Sequence, residues 1–225
     1  MISPRSSRIV LCICACAVSL GAGCASAGRG PYSAQSESDR NPLEAQRLSM
    51  QAAAILDALN EQEPVPPGAP GHAERQVEQA EALARAEDLL RRALTADLYC
   101  GPAHNNLGVV YLKQSPARLY EAASEFAFAQ RLMPGASDTR MNLALTLERA
   151  GKIDDALASY RSALEASRGH LPSIQAIARL QIKHARADDR TRQYLDEIAL
   201  RGDHAWRSWA RAQLTRGTSS TPRGE

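Results

Sequence analysis

The 225-residue chain is 44% hydrophobic but only 4% aromatic, and it carries 27 basic against 25 acidic side chains. Balanced charge with both signs interspersed argues against nucleic-acid binding as the main task. Four of the five cysteines fall within the first 24 residues, which excludes a disulfide-stapled fold. Much of the apolar content is alanine, which suits close helix–helix packing better than a few bulky cores.

The N-terminal "MISPRSSR" contributes Arg5 and Arg8 and no acid, and Ile9 to Leu20 is an apolar run. That run is short of the roughly 20 residues a membrane-spanning helix needs, so residues 1–23 read as a signal peptide. The segment ends on "LGAGC", which resembles a bacterial lipobox, with Gly21 where the motif has Leu and Leu20 one place further back. The resemblance implies lipidation of Cys24 and an exported, membrane-anchored chain facing the periplasm, on the outer membrane. The alternative is an ordinary signal peptide cut near Ala25 or Ala27, giving a soluble periplasmic or secreted protein. Cys100 is then the one other thiol, with no intrachain partner.

Residues 24–42 are rich in Ser, Gly and Ala and read as a flexible tether. A helix follows from Leu43 to about Asn60, with Leu48, Ala52, Ile55, Leu56 and Leu59 on its apolar face. The proline-rich stretch "EQEPVPPGAPGH" places a loop over 60–72. From Ala73 onward the chain is helix-compatible, broken at regular places. Leu107, Gly108 and Tyr111 return 36 residues later as Leu143, Ala144 and Leu147. Ala122, Phe126 and Ala129 return after 34 as Ala156, Tyr160 and Ala163. Ala86, Leu90 and Ala93 precede that trio by 36, and Ile177 and Ala178 follow Leu143 and Ala144 by 34.

These positions resemble the tetratricopeptide repeat (TPR), with His104 standing at its Trp position, then Leu107, Gly108 and Tyr111, then Ala122, Phe126, Ala129 and Pro134. The clearest units are 101–136 and 137–170. A first unit is split by the proline-rich loop, and a fourth is degenerate, with Gln181 in the Tyr position. The resemblance implies an all-α, right-handed α-solenoid over 43–216. A capping helix at about Asp203 to Thr215 carries Trp206 and Trp209, and 217–225 form a disordered tail. The tryptophans cover the end of the last repeat; a partner anchor is the sharper alternative. Small residues at Gly108, Ala144, Ala178, Ala122 and Ala156 let helix axes approach. His104 is expected to pack rather than to ligate. Asp154 and Asp155 complement the positive end of a helix, and Asp189 and Asp203 are expected to cap.

In the family, the first helix of each unit lines a concave groove that takes a protein or peptide partner. The resemblance puts Asn105, Asn106, Val109 and Lys113 there from one unit, Met141, Asn142, Leu145 and Arg149 from the next, and Gln175 and Arg179 from the last. Asn106 and Asn142 share one position; an Asn there can bond a peptide backbone, or is simply common in the family. A basic clamp for a C-terminal carboxylate is not expected, because Asn105 and Met141 stand where Lys would. The sequence holds no H-E-x-x-H, G-x-S-x-G, Walker loop or dinucleotide fingerprint, so no catalytic residue, metal or cofactor is expected. The expected function is a non-enzymatic interaction scaffold or adaptor, a membrane-anchored lipoprotein for an envelope assembly. The alternative is an accessory protein that positions or assists a cell-wall or secretion enzyme.

Overall fold

The computed structural model describes residues 35–63 and 68–219. The expected signal peptide, the expected lipidation site Cys24, most of the expected tether and residues 220–225 lie outside them. Among the described residues there are nine α-helices and no strand. Pro42–Glu61 (α1) starts at Asn41, whose side chain accepts from the Glu44 backbone N–H at 3.2 Å, with Pro42 in the first turn where a missing N–H costs nothing. Its partner His72–Ala96 (α2) packs against it across the proline-rich segment. Leu48, Ala52 and Leu56 are buried as the periodicity predicts, whereas Ile55 and Leu59 are half-buried, and Ala45 and Ser49 complete the face.

The expected tether needs correction at its C-terminal end. Residues 35–41 are fastened to the turn after α2 rather than hanging free. The Gln35 carboxamide donates to the Thr95 and Ala96 carbonyls and accepts from the Leu98 N–H. The Asn41 N–H donates to the Ala96 carbonyl at 2.7 Å, and Arg40 forks onto Asp97 at 2.8 and 3.2 Å. These bonds satisfy carbonyls that the end of α2 leaves without intrahelical partners, which composition alone does not reveal.

Three further helix pairs follow: Gly101–Lys113 (α3) with Leu119–Leu132 (α4), Ser137–Arg149 (α5) with Ile153–Ala166 (α6), and Leu171–Lys183 (α7) with Thr191–Arg201 (α8). Each second helix also packs on the next first helix, from α2 on α3 to α6 on α7, which makes a solenoid. All three Ala–large–Ala trios lie in its core, with Phe126 and Leu90 fully buried and Tyr160 nearly so. Gly108 faces the Phe126 ring so closely that a Cβ there would lie 2.7–2.9 Å from three ring carbons.

His104 is fully buried, but it is not a plain substitute for an aromatic residue. Its ring stacks on Phe128 at 4.5 Å, Nδ1 meets Glu125 Oε2 at 2.6 Å, and Nε2 meets the Leu98 carbonyl at 2.8 Å. The carbonyl only accepts, so Nε2 carries a hydrogen, and one further proton is held between Nδ1 and Glu125.

The fourth pair is degenerate for a visible reason. Gln181, in the Tyr position, is fully buried; it donates to Asp188 at 2.7 Å and accepts from the Thr191 hydroxyl at 3.1 Å. The turn is thus pinned by polar bonds instead of an aromatic ring. Asp188, not the expected Asp189, organises the start of α8 by accepting from the Arg190 N–H. The final helix, His204–Ser219 (α9), is capped by Asp203 through the Trp206 N–H, as expected, and packs more extensively on α8 than α7 does. It runs on through residues expected to begin the tail at 217, there being no proline before Pro222. Trp206 and Trp209 meet edge to face at 5.3 Å and pack against the core formed with Ile174, Ile177, Leu195 and Ile198, so α9 caps the solenoid.

Candidate partner-binding face

The first helices of the pairs present one face apart from the core. On α3 and α5, Asn142 donates to the Asn105 side chain at 3.1 Å, and Asn105 donates to Asn106 at 3.3 Å. Further along, Arg149 donates to the Leu112 carbonyl at 2.9 Å, where α3 ends. The guanidinium there meets a carbonyl without an intrahelical partner at the negative end of the helix. Arg179 on α7 donates to Glu148 on α5 at 2.7 Å, and the Tyr160 hydroxyl donates to the same carboxylate at 3.1 Å. Side-chain bonds therefore link α3, α5 and α7 in a row.

The expected residues fall unevenly on this row. Asn105, Asn106, Val109, Asn142, Gln175 and Arg179 are half-buried, and Leu145 is exposed at 40%. Met141 is half-buried and packs into the core of the later repeats, so less of it is open on this face than the repeat position implies. The Asn142 amide donates to its neighbour, which leaves its carbonyl oxygen to accept from a bound backbone. Lys113 stands at the end of α3 beside a cavity of about 640 Å³ bounded by α2 and the α3–α4 turn. Lys113, Arg149 and Lys183 occupy the last turns of three successive first helices.

Burial pushes the Glu148 carboxyl upward, but Arg179, Tyr160 and Lys183 together more than reverse this and hold it below the usual carboxylate range. Burial first, and then the Glu148 charge, push the Tyr160 phenol well above its ordinary value, so it stays a hydrogen-bond donor. The Cys100 thiol is raised by burial too, which keeps it protonated and poorly reactive. Among the described residues no group of His, Cys, Asp and Glu is arranged to hold a metal ion, and no helix is long and apolar enough to cross a membrane.

Sequence reasoning missed both carboxylates that matter here. A signal existed in the repeat register. Glu148 stands in the row that holds Leu112 one unit earlier and Ile182 one unit later, and Glu125 occupies the position that is Ser159 in the next unit. An acid in a row of apolar or small residues marks a local polar demand.

No family model matches the chain, and no curated protein matches it. Its architecture is shared with solved structures. The first TPR of Spaghetti (RPAP3), bound to an HSP90 peptide, is similar at a TM-score of 0.51 and 14% identity, over 65% of this chain and 98% of that one. A tetratricopeptide repeat protein from Parabacteroides merdae is similar at 0.57 and 18%, over 78% of this chain and 61% of that one. An O-GlcNAc transferase mutant from Thermobaculum terrenum is similar at 0.52 and 17%, over 69% of this chain but only 26% of that one. The fold is therefore an all-α solenoid of tetratricopeptide type, and these distant likenesses carry the fold alone.

Proposed function

We propose that the chain is a non-enzymatic interaction scaffold that holds a protein or peptide partner along the face of α3, α5 and α7. The observation that carries this reading is the row of cross-helix bonds, Asn105–Asn142 and Arg149–Leu112, beside the partly exposed apolar pair Val109 and Leu145. Such a face offers apolar contact flanked by amides and cations, and it is pre-organised by its own side chains, which lowers the ordering cost of binding. The Spaghetti repeat, whose fold is similar, was solved with a peptide, which supports the same use here.

In this reading Cys24 is lipidated, and the scaffold serves an envelope assembly from the periplasmic side of the outer membrane. A Cys24→Ser variant should leave the membrane fraction and lose lipid labelling; a wild-type protein already soluble in the periplasm would remove the anchor from the proposal. An affinity pulldown from envelope extract tests the scaffold. A stoichiometric protein lost in a Leu145→Arg variant supports it. Hydrolase activity that stays with the chain through strict purification would favour the second reading, an accessory to a cell-wall or secretion enzyme.

A further inference from the structure

The first helix pair departs from the others in length. At about 1.5 Å per residue, the 25-residue α2 spans about 37 Å, while the 13-residue α3 beside it spans about 20 Å. Both meet at the turn 97–100, so the excess lies at the N-terminal end of α2, which overhangs the C-terminal end of α3. The cavity of about 640 Å³ occupies this step. Its wall from α2 is Gln76, Gln79, Leu83 and Ala84, and its far side is Lys113 and the α3–α4 turn with Arg118. The volume lies within the roughly 300–1,000 Å³ of ligand sites, and the lining mixes apolar surface with a few convergent polar groups.

The charged groups lining it are both cations. Arg118 is already engaged: it pairs with Glu121 at 3.0 Å and with Glu87 at 3.5 Å, and lies over the Tyr111 ring. Glu87 in turn accepts from Gln114 and Arg91. Lys113 forms no ion pair among the described residues, although it belongs both to the cavity and to the row of partner-facing residues. The repeat pattern supplies neither the overhang nor the cavity.

We infer that this cavity is a pocket at the end of the binding face for an acidic side chain of the bound protein segment. The carboxylate would pair with Lys113 while its methylenes lie against Leu83 and Ala84, with Gln79 able to donate to a second oxygen. This inference rests on the proposed scaffold function and adds to it the chemistry of one partner residue.

The test uses the full chain and two pools of fluorescent, N-acetylated and C-amidated dodecapeptides. The pools are identical except that the central position is Glu in one and Gln in the other, and binding is read by fluorescence anisotropy. The Glu pool should bind roughly tenfold more tightly, as a charge-assisted bond in a partly desolvated site would give. Ala84→Trp, which fills the cavity from an exposed helix position, and Lys113→Glu should each abolish that preference, with circular dichroism confirming retained helix. Equal binding of the two pools, no binding of either, or a preference that survives Ala84→Trp overturns the pocket. Leu145→Arg separates the two ideas. Binding that it weakens but that shows no Glu preference sinks the pocket and keeps the face. A Glu preference lost in the cavity variants yet untouched by Leu145→Arg keeps the pocket and sinks the face.

Discussion

Substitution of Gly108 by Ala isolates the tightest helix–helix contact. In a free helix the change is favourable by about 1 kcal/mol, because glycine is the more costly residue to order. In this solenoid the new Cβ would stand 2.7, 2.8 and 2.9 Å from three carbons of the fully buried Phe126 ring, where ordinary contact begins near 3.4 Å. The ring or α4 must therefore shift by several tenths of an ångström in a packed core, at a cost of about 1–3 kcal/mol. The net expectation is a loss of about 1 kcal/mol for Gly108→Ala, rising to about 3 kcal/mol for Gly108→Leu. Urea denaturation gives both values. Pairing Gly108→Ala with Phe126→Leu should recover at least about 0.5 kcal/mol relative to the sum of the single changes. Stabilisation by the full propensity gain, or strict additivity, would refute the contact and move the repeat register.

The buried pair at His104 should respond to charge and hydrogen-bonding capacity separately. Glu125→Ala should cost about 2–3 kcal/mol by removing the hydrogen bond that Glu125 makes with Nδ1 of a fully buried ring, while Glu125→Gln, whose amide can still donate to Nδ1, should cost clearly less in the same denaturation assay. At Asp97 the Arg40 hydrogen bond is the largest influence and, with the Tyr99 N–H, it outweighs burial and holds the carboxyl below its ordinary range. A depressed folded-state pKa contributes stability above the unfolded value of about 4 and loses it as pH falls through the folded value. Arg40→Ala should therefore lower the Tm at pH 7 and make its decline below pH 4 shallower than in the wild type. The Trp206→Ala, Trp209→Ala double variant should lose about 3 kcal/mol or more if α9 is a structural cap. Unchanged stability with lost partner binding would instead make the tryptophans an anchor.

What the sequence made legible follows from what repeats repeat. The trios around Leu90, Phe126 and Tyr160 recur because each unit must bury the same surface, and all three lie in the core. The polar exceptions were hidden because each occurs once: the Gln181–Asp188–Thr191 bonds, the His104–Glu125 pair and the Glu148–Arg179 bridge solve local problems that the period does not share. Gln35 reads as tether because it is polar and lies among Ser and Gly, yet its bonds run to backbone groups some 60 residues away. Spacing within a segment carries no trace of such a contact. For the binding face, the helix register identified which residues share a side, but not that Met141 turns into core packing or that Asn142 already bonds Asn105.

The most direct test of the interaction face is site-specific photocrosslinking in cells, with the probe placed at Leu145 on α5 or at Leu200 on α8, both exposed. A scaffold that binds along its first helices predicts a discrete protein adduct from position 145, reduced by Asn142→Ala, and none from position 200. No adduct at 145, or the same adduct from both positions, would contradict it.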